Sequence, residues 1–198
     1  MERYNKFLYC INKIVDILFL GILWSVCSLP LFTIGASTSA AYVCIHQCIF
    51  HDQNYITHTF FSEFRQNLKT GCLISIVFLP ALVLSALAFY QTVQKNSGDF
   101  TYLFLFLSIF IWGICLLIQI HLYALTARFH YPKNILFQLV ITFLSKDLFQ
   151  NLLLLFLLIC ALDLVIYYPP SLLFLPGVYL VLYYIIEEQI FRKHIKNL

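Results

Sequence analysis

Three sets of side chains in this sequence have the types and spacing to do chemistry. Asp163 is the only carboxylate well inside an expected membrane span, and a carboxylate at such depth is costly enough to mark a proton or substrate path. It lies about a turn from Tyr167, where water or a phenol could satisfy it, which gives it a plainer structural reading. Gln119 and His121 sit in the inner half of one span on different faces of the helix. They could line a path, or could simply hydrogen-bond neighbouring helices together. Cys44, Cys48 and His51 fall on one helical stripe with His46 and His58 nearby, residue types that bind zinc or copper. No short-spaced ligand pair of a zinc motif accompanies them, and cysteine is common in apolar packing, so no metal is expected.

The rest of the enzyme vocabulary is missing. There is no glycine-rich phosphate loop, no HExxH, no GxSxG and no cluster of carboxylates, and six glycines and nine acids leave little to build one from. The expectation is a protein without enzymatic activity or cofactor.

The elements that position these residues follow from composition. Of 198 residues, 62% are hydrophobic and 11% charged, and mean hydropathy is +0.87, whereas a soluble domain is about a quarter charged. The apolar residues fall into blocks of roughly 20, the length that carries a helix through a bilayer. The fold class is therefore an all-α membrane protein, one domain over residues 1–198, a polytopic bundle of transmembrane helices with amphipathic interfacial helices. Trp24, Pro30 and Phe32 spoil the small-residue pattern of a signal cleavage site, so the first apolar block is expected to remain. Seven cysteines, at 10, 27, 44, 48, 72, 115 and 160, lie within expected helices and read as reduced packing residues. A net charge of +3 gives no reason to expect a nucleic-acid partner.

Along the chain, residues 1–13 suit an interfacial helix, and a span runs from about Ile14 to Pro30, with Pro30 and Gly35 breaking it. A helix over 36–50 opens on Ala36-Ser37-Thr38-Ser39-Ala40-Ala41, whose small-xxx-small spacing permits close backbone packing, most simply on the first span. Residues 58–70 read as an amphipathic surface helix leading into a span over 71–91. Lys95 to Asp99 reads as a turn, and the next span covers about 100–127. A second amphipathic stretch, 133–147, precedes a span over 148–168, the break Pro169-Pro170, a last span over 171–186, and a polar basic tail. The units 58–91 and 133–168 share one order: surface helix, Gln-Asn-Leu junction, apolar run. That order hints at internal duplication.

Charge sets the topology. Six spans with both termini cytoplasmic put Arg3, Lys6, Lys13, Arg65, Lys69, Arg128, Lys133, Lys146, Arg192, Lys193 and Lys196 inside, leaving Lys95 outside. If the 36–50 helix does not cross, five spans remain and the N-terminal basic residues move outside; the positive-inside rule favours six.

The run from Trp24 through Pro30, Thr33, Ile34, Gly35 and Ala40 to Tyr42, followed by Phe61, Phe64, Asn67 and Lys69, resembles the YesL-like family of small bacterial membrane proteins, a domain of unknown function. Leu29 matches as well, while Ala36 stands where many members carry proline. The motif reads as a structural hairpin, and no catalytic residue carries over. The resemblance implies a multi-pass protein of the bacterial plasma membrane, encoded beside carbohydrate ABC importers. The expected role is then an accessory to such uptake, with the lipid bilayer and importer permease subunits as partners. The alternative is a small-solute carrier in its own right, suggested by the broken helix and the repeat.

Overall fold

The computed structural model describes residues 2–52, 55–95, 99–129 and 132–194. These are helical, with no strand among them: α1 (Glu2–Cys27), α2 (Ile34–Cys44, widening into a π-helical Ile45–Phe50), α3 (Ile56–Lys95), α4 (Asp99–Arg128), α5 (Lys133–Lys146), α6 (Leu148–Tyr167) and α7 (Leu175–His194). Short 3₁₀ turns at Leu31–Thr33 and Pro169–Leu173 precede α2 and α7.

The expected hairpin around Pro30 is present, and its chemistry is local. Thr33 Oγ1 donates to the carbonyls of Cys27 (2.6 Å) and Pro30 (2.7 Å), meeting acceptors that the end of α1 leaves open. From there α2 runs back antiparallel to α1. Ser28 and Ser37 hydroxyls meet at 2.7 Å, Trp24 Nε1 donates to Thr38 Oγ1 at 3.1 Å, and Lys13 Nζ donates to the carbonyls of Cys48 and Ile49. Lys13 also pairs with Asp52, which accepts from Tyr9 as well; these two donors hold the exposed Asp52 carboxyl below its usual range.

The small-residue run, by contrast, makes its closest approach to α3 and not to the first span. A Cβ on Gly35 would lie 2.5 Å from the carbonyl oxygen of Gly71, and one on Gly71 would strike the backbone of Ala36. Only two glycines let these helices come so near. Ser75 Oγ accepts from the Gly35 N–H, and Thr59 sits beside Cys48 at the other end, so α2 lies between α1 and α3, antiparallel to both.

Three expected boundaries are corrected. The N-terminal segment is continuous with the first span in α1, and the surface helix over 58–70 is continuous with the following span in the 40-residue α3, Pro80 included. Amphipathicity changes along α3 without a break in its backbone. The last span does not end at 186: α7 continues through Glu187 and Glu188, both buried, to His194. The boundary expected between 133–147 and 148–168 holds, with the chain breaking at Asp147 between α5 and α6. The turn expected at Lys95 to Asp99 falls largely on 96–98, outside the described residues.

The core gathers Leu20, Tyr42, Phe60, Phe143, Leu180, Tyr183 and Ile190. Two segments, Phe106–Arg128 and Leu148–Tyr167, are long and apolar enough to cross a bilayer. Only 22% and 11% of their apolar windows are buried, so neither is the enclosed core helix of a water-soluble fold.

Candidate functional site

Two interior features adjoin one another. The first is a polar knot joining α4, α6 and α7. His121 and Glu187 are completely buried, with His121 Nδ1 at 2.8 Å from Glu187 Oε1. His121 Nε2 meets Asn151 Oδ1 at 2.9 Å, and the Asn151 amide donates in turn to the carbonyls of Phe143 and Leu144. That arrangement fixes the tautomer: the carboxamide oxygen must accept, so Nε2 carries a proton, and Nδ1 faces the carboxylate. The contact is close but poorly aligned, since neither Nδ1 nor Oε1 reaches hydrogen-bond geometry. Glu187 Oε2 has no hydrogen bond to any described residue.

Beyond Asn151 the knot extends to the end of α7. Asp147, whose side chain is fully buried, receives Lys193 Nζ at 2.5 Å on one oxygen and His194 Nε2 on the other. A neighbouring set surrounds Glu188: Arg128 at 3.1 Å, Arg192 at 3.6 Å, and the Tyr42 hydroxyl, which donates at 3.4 Å. His46 Nδ1 meets the Tyr184 hydroxyl at 2.7 Å.

The second feature is a cavity of about 780 Å³ bordered by α1, α2, α3, α4, α6 and α7, with Trp24, Leu116, Gln119, Leu162 and Tyr179 in its walls. Gln119 reaches the Tyr123 hydroxyl, which meets Ser75 at 3.0 Å. Tyr183 and Ile120 also line it, and the Tyr183 hydroxyl donates to the Ile120 carbonyl at 2.7 Å. Ile120 is the residue before His121 and Tyr183 lies four residues before Glu187 on α7, so the cavity wall borders the knot.

Of the residues singled out by sequence, His121 enters the knot and Gln119 the cavity wall, on separate faces of α4 as expected. Asp163 lies on the exposed face of α6, apart from both. The metal-type residues have separate partners: Cys44 the Ile56 carbonyl, Cys48 the Thr59 hydroxyl, His51 the His46 carbonyl. Among the described residues no three His, Cys, Asp or Glu side chains converge as a metal site would require. In the hairpin motif, Trp24, Thr33, Gly35, Ala40 and Tyr42 are in packing or capping contacts, whereas Pro30, Phe61 and Lys69 are exposed and Phe64 and Asn67 half-buried.

Sequence reading missed Glu187, Glu188 and Asp147. A signal existed for Glu187: Tyr183, Glu187, Ile190 and Phe191 share one helical stripe, so the apolar face of α7 resumes after the two acids and encloses the first.

The described fold is thus an all-helical bundle with two helices able to cross a membrane, an ion-paired interior and an apolar cavity. Residues 15–89, under half of the chain, match the model of an uncharacterised family described as "Protein of unknown function, DUF624". That match spans α1 from Val15 through most of α3 and contains every residue of the hairpin motif. No curated protein and no solved structure matches.

Proposed function

We propose that this chain is a multi-pass protein of the bacterial cytoplasmic membrane, akin to the YesL-like proteins, that assists a carbohydrate ABC importer by contact and performs no chemistry of its own. The observation that carries the reading is the character of the cavity wall. Its serine and threonine hydroxyls are engaged within the chain, Thr38 by Trp24, Ser28 by Ser37, Ser75 by Tyr123 and Ser25 by the Gly21 carbonyl. A sugar bound there would bury hydroxyl groups without partners, at about 1–3 kcal/mol each. A sugar carrier needs convergent free donors and acceptors, so the accessory role fits better than the carrier role.

The membrane setting is supported by the outward-facing apolar side chains of α4 and α6, among them Phe106 and Phe156. Cytoplasmic termini follow from the basic residues. The α1–α2 hairpin keeps those charges on one side whether it crosses fully or turns within the bilayer. Gly35 packs on Tyr123, five residues and so about 8 Å from Arg128 at the end of α4, which favours the shallower turn.

The test is to tag the C-terminus, extract native bacterial membranes in mild detergent and identify co-purifying proteins by mass spectrometry. Enrichment of a sugar-importer permease subunit over unrelated membrane proteins is expected; a preparation containing only this chain sinks the accessory reading.

A further inference from the structure

We propose that the 780 Å³ cavity is a binding site for one acyl chain of a membrane phospholipid. The inference rests on the membrane location argued above, and is independent of any importer.

A void of this size is exceptional in a well-packed bundle, because protein interiors hold few gaps larger than a water molecule. Water is a poor occupant, since a buried water needs two to four polar partners and these walls offer little beyond the Gln119 amide. The mouth identifies where the occupant comes from. Leu29, Leu31, Val83, Leu162 and Leu172 border the cavity and are also strongly exposed, at 79%, 63%, 48%, 47% and 49%. The cavity therefore opens on the apolar outer surface, the surface that a bilayer would cover, and not among the ion pairs of the α5–α7 end. Size excludes a partner's helix. A helix about 10 Å across would use the whole volume in roughly 10 Å of its length, under two turns. A single flexible hydrocarbon chain fits the volume and matches the walls.

The sequence contains two tryptophans, Trp24 in the cavity wall and Trp112 on α4 outside it. In a Trp112→Phe protein, emission reports on Trp24 alone. The full-length protein is purified in detergent, stripped of lipid, and titrated with phosphatidylglycerol carrying a dibrominated acyl chain, bromine being a contact quencher. Saturable quenching of at least twofold is expected, levelling off near one lipid per chain. Ala161→Phe, which fills the cavity from α6, removes the saturable component; Ala86→Phe does the same from α3 should the first variant fold poorly. Quenching that rises linearly with lipid content of the micelle and is equal in both variants overturns the site, because Trp24 then meets lipid only at the outer surface. A protein that stays soluble after detergent removal instead defeats the membrane reading itself, so the two failures are distinct.

Discussion

Residues 56–95 and 133–167 carry the same order of features, yet the first is one helix and the second is two. In α3 the Gln66-Asn67-Leu68 junction passes without interruption, and Asn67 Nδ2 donates only to the Glu63 carbonyl one turn back and, at 3.4 Å, to the Glu63 carboxylate. In the second unit the chain bends at Asp147 (φ −113°, ψ 46°), and the Asn151 of Gln150-Asn151-Leu152 reaches across the bend to two carbonyls of the last turn of α5 while holding His121. A continuous helix satisfies its own backbone, whereas a broken one exposes carbonyls that side chains must meet. The break is secured from far away in the sequence, by Lys193 and His194 on the Asp147 carboxylate. The likeness of the two units is one of composition, and the architecture does not carry it through.

Asn151→Ala is the substitution that strains this contrast hardest. It leaves the half-buried Leu144 carbonyl and the buried His121 Nε2–H without their partner, at about 1–3 kcal/mol for each group, so a loss near 3 kcal/mol is expected. The measurement is the thermal midpoint of the purified protein in detergent. A loss under about 1 kcal/mol would mean that Asp147 and its two cations hold the bend without help.

Glu187→Leu should cost less, about 2 kcal/mol. Were the partner a lysine or arginine, removing a buried counter-charge would cost about 3–5 kcal/mol. Imidazole can shed its proton, and what remains is one unpaired ring nitrogen, at about 1–3 kcal/mol. The double variant His121→Leu/Glu187→Leu then recovers part of the loss, since a buried pair replaced by apolar groups of similar volume is often neutral. If the double variant is the less stable of the two, the pair contributes more than its own desolvation removes.

The contrast between local and distant partners also explains what was legible in the sequence. The turn at Pro30 to Gly35 was legible because everything that makes it lies within nine residues, from the Cys27 carbonyl to Gly35. The small-residue run was legible as a close-packing seam, but not its partner: a glycine spacing states that a backbone comes near and does not say whose. Gly71 looked like the start of a span, when its use is to admit Gly35. His121 and Gln119 stood out as polar residues in an apolar segment. Glu187 did not, because the apolar stretch before it suggested that the span had ended, and its counter-group lies 66 positions earlier. Asp163 stands out by its depth in the 148–168 run, whose bounds hold in α6, whereas Glu187 falls just past an expected edge at Ile186 that α7 overruns.

Asn67→Ala should produce the smallest effect, within about 0.5 kcal/mol of zero. In an α-helix the Glu63 carbonyl already accepts from the backbone N–H four residues on, so the Asn67 amide adds a second, weaker donor to a group that is not in need. The side chain is only half-buried, and alanine has the higher helix propensity, which offsets part of what is lost. Asn67 nevertheless belongs to the hairpin motif and to the segment that matches the uncharacterised family, together with the exposed Phe61 and Lys69. A residue held there for contact with another protein would show a particular pattern: unchanged melting in detergent, but reduced recovery of the co-purifying subunit. A loss of stability as large as that of Asn151→Ala would instead make the two junctions equivalent and remove the distinction between a helix that satisfies itself and one that depends on distant partners.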